Sequence, residues 1–211
     1  MNYFHYLANM NPRNGLHKAS FQKQEAEKKV RCLLCPHICL LQDGELGKCL
    51  ARKNVEGTLY SLSYEKICSM AIDPIEKKPL FHFFPGTSIL SVSTAGCNFH
   101  CLHCQNSHIS QVRPDAIPYR ELSAKEVIAI TLSYPCRLIA FTYTEPTIYY
   151  EYMLDIARLA HQQGIKTVMI SNGYINRDPL LELIPFIDAI NIDLKFFDNS
   201  LYRNTTTGTL N

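Results

Sequence analysis

No run of apolar residues in this chain approaches the roughly 18 needed for a membrane-spanning helix, so no span is expected. Charge of one sign is equally scarce. The 21 Lys and Arg stand against 19 Asp and Glu, a formal net charge of +2 with no basic run, which argues against nucleic acid or an anionic membrane as partner. The opening stretch MNYFHYLANMNPRNG lacks a basic segment followed by an apolar one, so no export signal and a cytoplasmic location are expected. With 46% hydrophobic and 19% charged residues, the composition is that of a globular protein, neither disordered nor fibrous. Its 211 residues suffice for one good core, or for one domain with a small appendage.

What the chain does have is cysteine, nine in all, and in a reducing compartment clustered cysteines bind metal more often than they form disulfides. Seven fall into two groups: Cys32, Cys35, Cys39 and Cys49, then Cys97, Cys101 and Cys104. Cys68 and Cys136 stand alone and are expected to be small buried hydrophobes.

The chain divides into three parts by pattern. Residues 1–30 read as a tail or surface helix, because QKQEAEKKV combines helix formers with only a thin apolar face. Residues 31–86 read as a Cys-rich subdomain and connecting loop. Turn residues Pro36, Gly44 and Gly47 surround its cysteines, strand-like GTLYSLSYEKICSMAID follows, and DPIEKKPLFHFFPG has no period. Residues 87–211 alternate strand and helix: TSILSVST, SAKEVIAITL with Ser123 at the N-cap, RLIAFTY, PTIYYEYMLDIARLAHQQG, KTVMISN, DPLLELI and DAINIDLK. Four such units predict an α/β fold with parallel strands and crossover helices. Four strands leave an unprotected edge, so either a half-barrel or a fragment of a longer chain is expected, with the fragment favoured.

In such folds the ligand lies beyond the carboxyl ends of the strands, and each expected strand delivers polar residues there. The first gives the three cysteines. The second gives Thr142, Thr144 and Glu145, the third Ser171, Asn172 and Gly173, and the fourth Asp193 and Lys195. Singly these are weak. Glu145 could serve only as an acid at a helix N-terminus, and Asp193 with Lys195 only as an exposed ion pair. Together they define a rim.

Cys97-x3-Cys101-x2-Cys104 admits three readings: a zinc site completed by His108, idle thiols, or an iron–sulfur cluster with one iron lacking a protein ligand. The loop after the first strand resembles the radical S-adenosylmethionine (SAM) superfamily. His103 stands where that superfamily usually has an aromatic residue, and Tyr143 and Thr144 replace the glycines of its common Gly-Gly-Glu-Pro segment. RCLLCPHICLLQDGELGKC, DPIEKKPLFHFFPG and AGCNFHCLHCQNSHISQ are together similar to the AmmeMemoRadiSam branch, related to pyruvate formate-lyase activating enzyme, over roughly residues 28–207.

The resemblance implies a partial (β/α) barrel and a [4Fe–4S] cluster on Cys97, Cys101 and Cys104. It implies reductive cleavage of SAM to a 5′-deoxyadenosyl radical that takes hydrogen from a substrate. Glu145 would take the SAM amino group, Ser171 and Asn172 would approach its ribose or carboxylate, and Asp193 and Lys195 would line the rim. An electron donor such as flavodoxin or ferredoxin is implied, and the substrate is either a glycyl-radical-type protein or another molecule.

The first group, Cys32-x2-Cys35-x3-Cys39-x9-Cys49, has enough thiols to close a site. Zinc, an auxiliary iron–sulfur cluster and unliganded thiols all remain open. His37, His82, His100 and His108 are expected at the surface or in packing, Tyr149, Tyr150 and Tyr152 in a core, and Glu76, Lys77 and Lys78 on a solvated loop. From other classes, a zinc-stabilised scaffold and a catalytically silent truncated remnant stay as alternatives.

Overall fold

The computed structural model describes residues 15–135 and 137–210; residues 1–14 of the expected tail, and Cys136, lie outside the described residues. The first six strands are β1 (His17–Lys18), β2 (Gln22–Gln24), β3 (Val30–Cys32), β4 (Leu40–Leu41), β5 (Arg52–Val55) and β6 (Thr58–Ser61). They form two small antiparallel sheets, β2-β3-β4 and β1-β6-β5. The surface helix expected at QKQEAEKKV is not formed. Gln22 pairs with Cys32 and Gln24 with Val30, and Glu27 and Lys28 turn the chain at φ +58° and +57°. A short helix with so thin an apolar face would bury almost nothing, whereas the ribbon buries Val30 and Cys32.

Then come β7 (Lys66–Ile67), β8 (Ser69–Pro74), β9 (Ser88–Ser93), β10 (Arg120–Glu121), β11 (Leu138–Phe141), β12 (Lys166–Ser171) and β13 (Ala189–Ile192). β7 pairs with β10, and the main sheet has the order β13-β12-β11-β9-β8. β9, β11, β12 and β13 are parallel, as the alternating pattern predicts. β8 runs antiparallel to β9 over six paired positions, so the core sheet begins at Ser69 and the expected boundary at residue 87 cuts through it.

Side chains alternate across the sheet with the period of two that strands impose. Leu90, Val92, Ile139, Phe141 and Met169 belong to the large core that includes the helices, whereas Ile89, Leu138, Ala140 and Val168 pack on the other face with Ile75. The helices are α1 (Ser107–Ser110), α2 (Ala124–Ser133), α3 (Tyr150–Gln162), α4 (Arg177–Leu183) and α5 (Asn199–Thr206). α2 starts where Ser123 and Glu126 cap each other's backbone N–H groups. A 3-10 turn at Pro146–Tyr149 leads into α3, and Tyr149, Tyr150 and Tyr152 are buried in the core as expected. α5 has no counterpart in the sequence reading. Asp198 caps it by accepting from the Leu201 N–H, and of its side chains only Tyr202 and Thr206 are buried, too few to make a period visible.

The ribbons sit on α3 through a buried ion pair. Arg52 Nη2 donates to Glu151 Oε1 at 2.5 Å, and Nη1 to the Ser20 carbonyl at 3.0 Å. Among the described residues, no helix is long and apolar enough to cross a membrane.

Candidate functional site

The chain leaves β9 through Ser93 and Thr94 and enters the three-cysteine loop by a tight passage at Gly96. Its φ of +102°, and a Cβ that would lie 2.6 Å from the Cys49 carbonyl oxygen, admit no side chain there. Beyond it, the Phe99 N–H donates to Cys97 Sγ at 3.3 Å, and Cys104 Sγ lies 3.2 Å from Ser110 Oγ. The C-terminal end of α5 clasps the same loop, with the His100 and Leu102 N–H groups donating to the carbonyls of Thr206 and Thr205 at 2.8 and 2.9 Å.

The ends of the other strands meet this loop. After β11, Tyr143 takes φ +65°, and its carbonyl accepts from Asn106 Nδ2 at 2.8 Å. Thr144 Oγ1 donates to the Thr94 carbonyl at 2.8 Å. After β12, Asn172 Nδ2 donates to Asn98 Oδ1 at 2.8 Å, and Asn98 in turn donates to the Tyr174 carbonyl at 2.8 Å. After β13, Lys195 and Asp193 form the ion pair that their spacing suggests, at 2.9 Å, and their charges reach Cys101. The structure therefore brings the three cysteines, Glu145, Ser171, Asn172, Asp193 and Lys195 to one rim.

Glu145 is the centre of that rim and is 2% exposed. Its Oε1 accepts from the Thr147 N–H at 3.0 Å, from Thr147 Oγ1 at 2.6 Å and from Ser171 Oγ at 2.8 Å. Oε2 accepts from the Asn172 N–H at 2.8 Å. Oε1 is saturated and Oε2 has room for one further donor. Burial pushes the carboxyl up from its usual range against the pull of these hydrogen bonds. Burial and the Glu145 charge likewise push the Cys97 thiol well up. Lys195 is held above its usual value, burial being outweighed by Asp193 and by the charges of Cys101 and Cys97.

Among the described residues, no three His, Cys, Asp or Glu side chains are arranged to hold a single metal ion. His108, the expected fourth zinc ligand, is exposed, whereas the three thiols are half-buried. A cubane cluster takes one thiolate on each of three irons. Three thiols on one loop, one of them bonded by a backbone N–H, are a donor set that suits it and leaves one iron open.

Several residues that matter here carried no signal of their own. Asn98 is fully buried and ties the cysteine loop to β12. His37 Nε2 lies 2.7 Å from the Asn98 carbonyl oxygen and His100 Nε2 lies 2.8 Å from that of Lys48, so both are packing residues, as expected. Lys78, expected on a solvated loop, is 2% exposed and pairs with Asp73 at 2.6 Å, while Lys77 stays outside. Asp73 also accepts from Ser91 Oγ at 2.8 Å and from the Tyr143 hydroxyl, so β8 is joined to the segment that carries Glu145. The only hint was the mixture of charge and proline in DPIEKKPL. Cys68 is half-buried, beside an apolar groove of about 590 Å³ whose lining includes none of the rim residues.

Burial pushes the Asp73 carboxyl up, but the donors Lys77, Lys78, Tyr143 and Ser91 outweigh it and hold the group well below the usual carboxylate range. A depressed folded value contributes stability that is full above the unfolded value of about 3.9 and is lost as pH falls below it. The Asp73→Asn variant is expected to lose about 2 kcal/mol at neutral pH and to show a shallower acid limb. Urea midpoints at pH 7 and across the acid range check both.

The family model of the radical SAM superfamily matches residues 91–211. That is more than half of the chain, and the chain belongs to this superfamily. It is 51% identical over 180 residues to the uncharacterized protein MJ0808 of Methanocaldococcus jannaschii, covering 85% of this chain and 54% of that protein. It is 26% identical over 113 residues to a putative glycyl-radical enzyme activating enzyme of Haemophilus influenzae, covering 50% of this chain and 40% of that one. The chain thus spans about half the length, or less, of these relatives. The crystal structure of QueE from Escherichia coli overlaps it with a TM-score of 0.48 at 16% identity, over 63% of this chain and 61% of that one. The superfamily implies a [4Fe–4S] cluster, SAM and a reductant.

Proposed function

We propose that this chain is the cluster- and SAM-binding part of a radical SAM enzyme, with the cluster on Cys97, Cys101 and Cys104. The observation that carries the reading is the convergence of three independent strand ends on the three-thiol loop, made by Asn106 to Tyr143, Asn98 to Asn172, and the edge-on ring contact of His103 with Phe196. Core packing alone gives no reason for polar residues to meet there.

When bound, the reduced cluster and SAM together supply a 5′-deoxyadenosyl radical able to take hydrogen from an unactivated C–H bond. The chain's own residues bind and orient. The remaining acceptor position on Glu145 Oε2 suits the methionine ammonium group of SAM. Ser171 and Asn172 are fixed by Glu145 near the place of the ribose or carboxylate. Lys195 offsets the negative charge that three thiolates bring to the loop, and Asp193 holds it in place. The likeness to a putative activating enzyme supports a backbone glycine of a partner protein as substrate class, with an electron donor of the flavodoxin or ferredoxin kind.

The test is anaerobic reconstitution with iron and sulfide, reduction, and addition of SAM. The expected result is a brown protein whose reduced paramagnetic resonance spectrum changes with SAM and which forms 5′-deoxyadenosine. Colourless zinc protein, or a spectrum indifferent to SAM, would overturn the reading in favour of a scaffold.

A further inference from the structure

β11 ends in a turn of three residues. The Thr144 N–H donates to the Thr142 carbonyl at 2.9 Å, and Tyr143 between them has φ +65°. A hydrogen bond across three residues with positive φ at the middle one is the rare, strained form of the γ-turn. Glycine adopts that backbone freely, whereas a Cβ makes it costly. A tyrosine persists there only where its surroundings over-determine it, and such positions cluster at functional sites. Two residues further on stands Glu145, at the centre of the rim.

The surroundings of Tyr143 hold it from two sides. Its hydroxyl donates to Asp73 Oδ2, and its carbonyl accepts from Asn106 Nδ2 at 2.8 Å. Lys78 Nζ lies 5.0 Å from the centre of the ring and donates to the same Asp73 oxygen at 2.6 Å, as does Ser91 Oγ at 2.8 Å. Asp73 and Lys78 are both buried. Asp73 sits within β8, opposite Ile89 of β9, so the phenol is anchored to the sheet and not to a loop. Beyond the turn, Thr144 Oγ1 lies 2.7 Å from Ser93 Oγ and donates to the Thr94 carbonyl at 2.8 Å. A tyrosine that merely filled space would need neither the buried acceptor nor the buried cation.

We propose, resting on the functional reading above, that Tyr143 is a positioning residue for SAM: its hydroxyl, clamped by Asp73 beside Lys78, holds the strained turn that sets Glu145 in the rim. Residues of β8 and the turn after it thereby join a site otherwise built from the ends of β9, β11, β12 and β13. The tyrosine acts through the backbone. Released from the clamp, it relaxes towards negative φ and the Tyr143–Thr144 peptide rotates. Glu145 then shifts against Ser171 and Asn172, whose bonds fix the direction of its remaining acceptor position.

Tyr143→Ala and Tyr143→Gly are the deciding pair. Both delete the ring and the hydroxyl, and they differ only in the Cβ that makes φ +65° costly. SAM is titrated into anaerobically reconstituted, reduced protein and followed by the cluster's paramagnetic resonance spectrum. The alanine variant is expected to bind SAM about tenfold more weakly than the glycine variant. A side chain that served packing, or met SAM itself, would make the two equal, and equality overturns the proposal. Tyr143→Phe keeps the ring and Cβ and is the variant that decides if the smaller ones do not fold. It is expected to weaken SAM binding several-fold, and unchanged binding overturns the clamp. Urea midpoints of the same variants need no cofactor. At a relaxed backbone position alanine is the more stable of the pair, whereas here glycine is expected to be, and the opposite order overturns the strained turn. A wild type whose cluster ignores SAM overturns the functional reading instead, and the urea midpoints alone then decide the clamp.

Discussion

Changing Cys101 to alanine is expected to reduce the proposed 5′-deoxyadenosine formation to the level seen without protein. Cys101 lies in the middle of the loop, half-buried, with Lys195 and Asp193 facing it from beyond β13. Cys97 and Cys104 are held on either side by the Phe99 N–H and the Ser110 hydroxyl. With one iron already open, the two remaining thiolates are not expected to retain the cubane, so loss of the cluster and of electron transfer to SAM is expected. The loop does not need Cys101 in order to fold. The α5 carbonyls clasp the backbone at His100 and Leu102, and Asn98 anchors it to β12. The Cys68→Ala variant is the control. It removes a half-buried thiol that is outside the loop, and cleavage is expected to continue. Chromatographic assay of both, with circular dichroism to show equal folding, decides. Cleavage retained in Cys101→Ala, or lost equally in Cys68→Ala, would remove the cluster from this loop.

The elements that were legible in the sequence are those whose signal is local. TSILSVST and KTVMISN are short β-branched runs bounded by polar residues, and both are strands within a residue or so of their expected limits. Ser123 and Glu126 announce α2 because a capping box is a four-residue event. The rim was legible because strand ends were, and topology then places their polar residues together. What stayed hidden depends on partners far along the chain. β8 is a core strand only because β9 pairs with it, and Lys78 is buried only because Asp73 and Tyr143 enclose it. Gly96 is a neutral letter in AGCNFHC until the Cys49 carbonyl comes within reach of its missing Cβ. Helix propensity misled at QKQEAEKKV, where a ribbon partner six to ten residues on offered more burial than a short surface helix.

The least legible of these partnerships, Arg52 with Glu151, separated by 99 residues, leads to the second large effect. The Arg52→Met variant is expected to lose roughly 3–5 kcal/mol, because it strands a carboxylate that is 6% exposed and that also holds the Ser20 N–H at 2.7 Å. In a domain of this size that lowers the melting temperature by roughly 10 °C or more. The loss concerns the site as well as the fold. β5 begins at Arg52, three residues after Cys49, whose carbonyl abuts Gly96 at the mouth of the three-cysteine loop. Loosening Arg52 therefore loosens both cysteine groups. The Arg52→Met/Glu151→Leu double variant separates charge from shape, since replacing a buried pair by apolar residues of similar volume is often neutral. Recovery of most of the melting temperature is expected. Iron content is expected to recover with it, because the double variant restores packing on α3 and with it the position of Cys49 against Gly96. Full recovery of both would mean that Arg52 serves the ribbon's attachment alone.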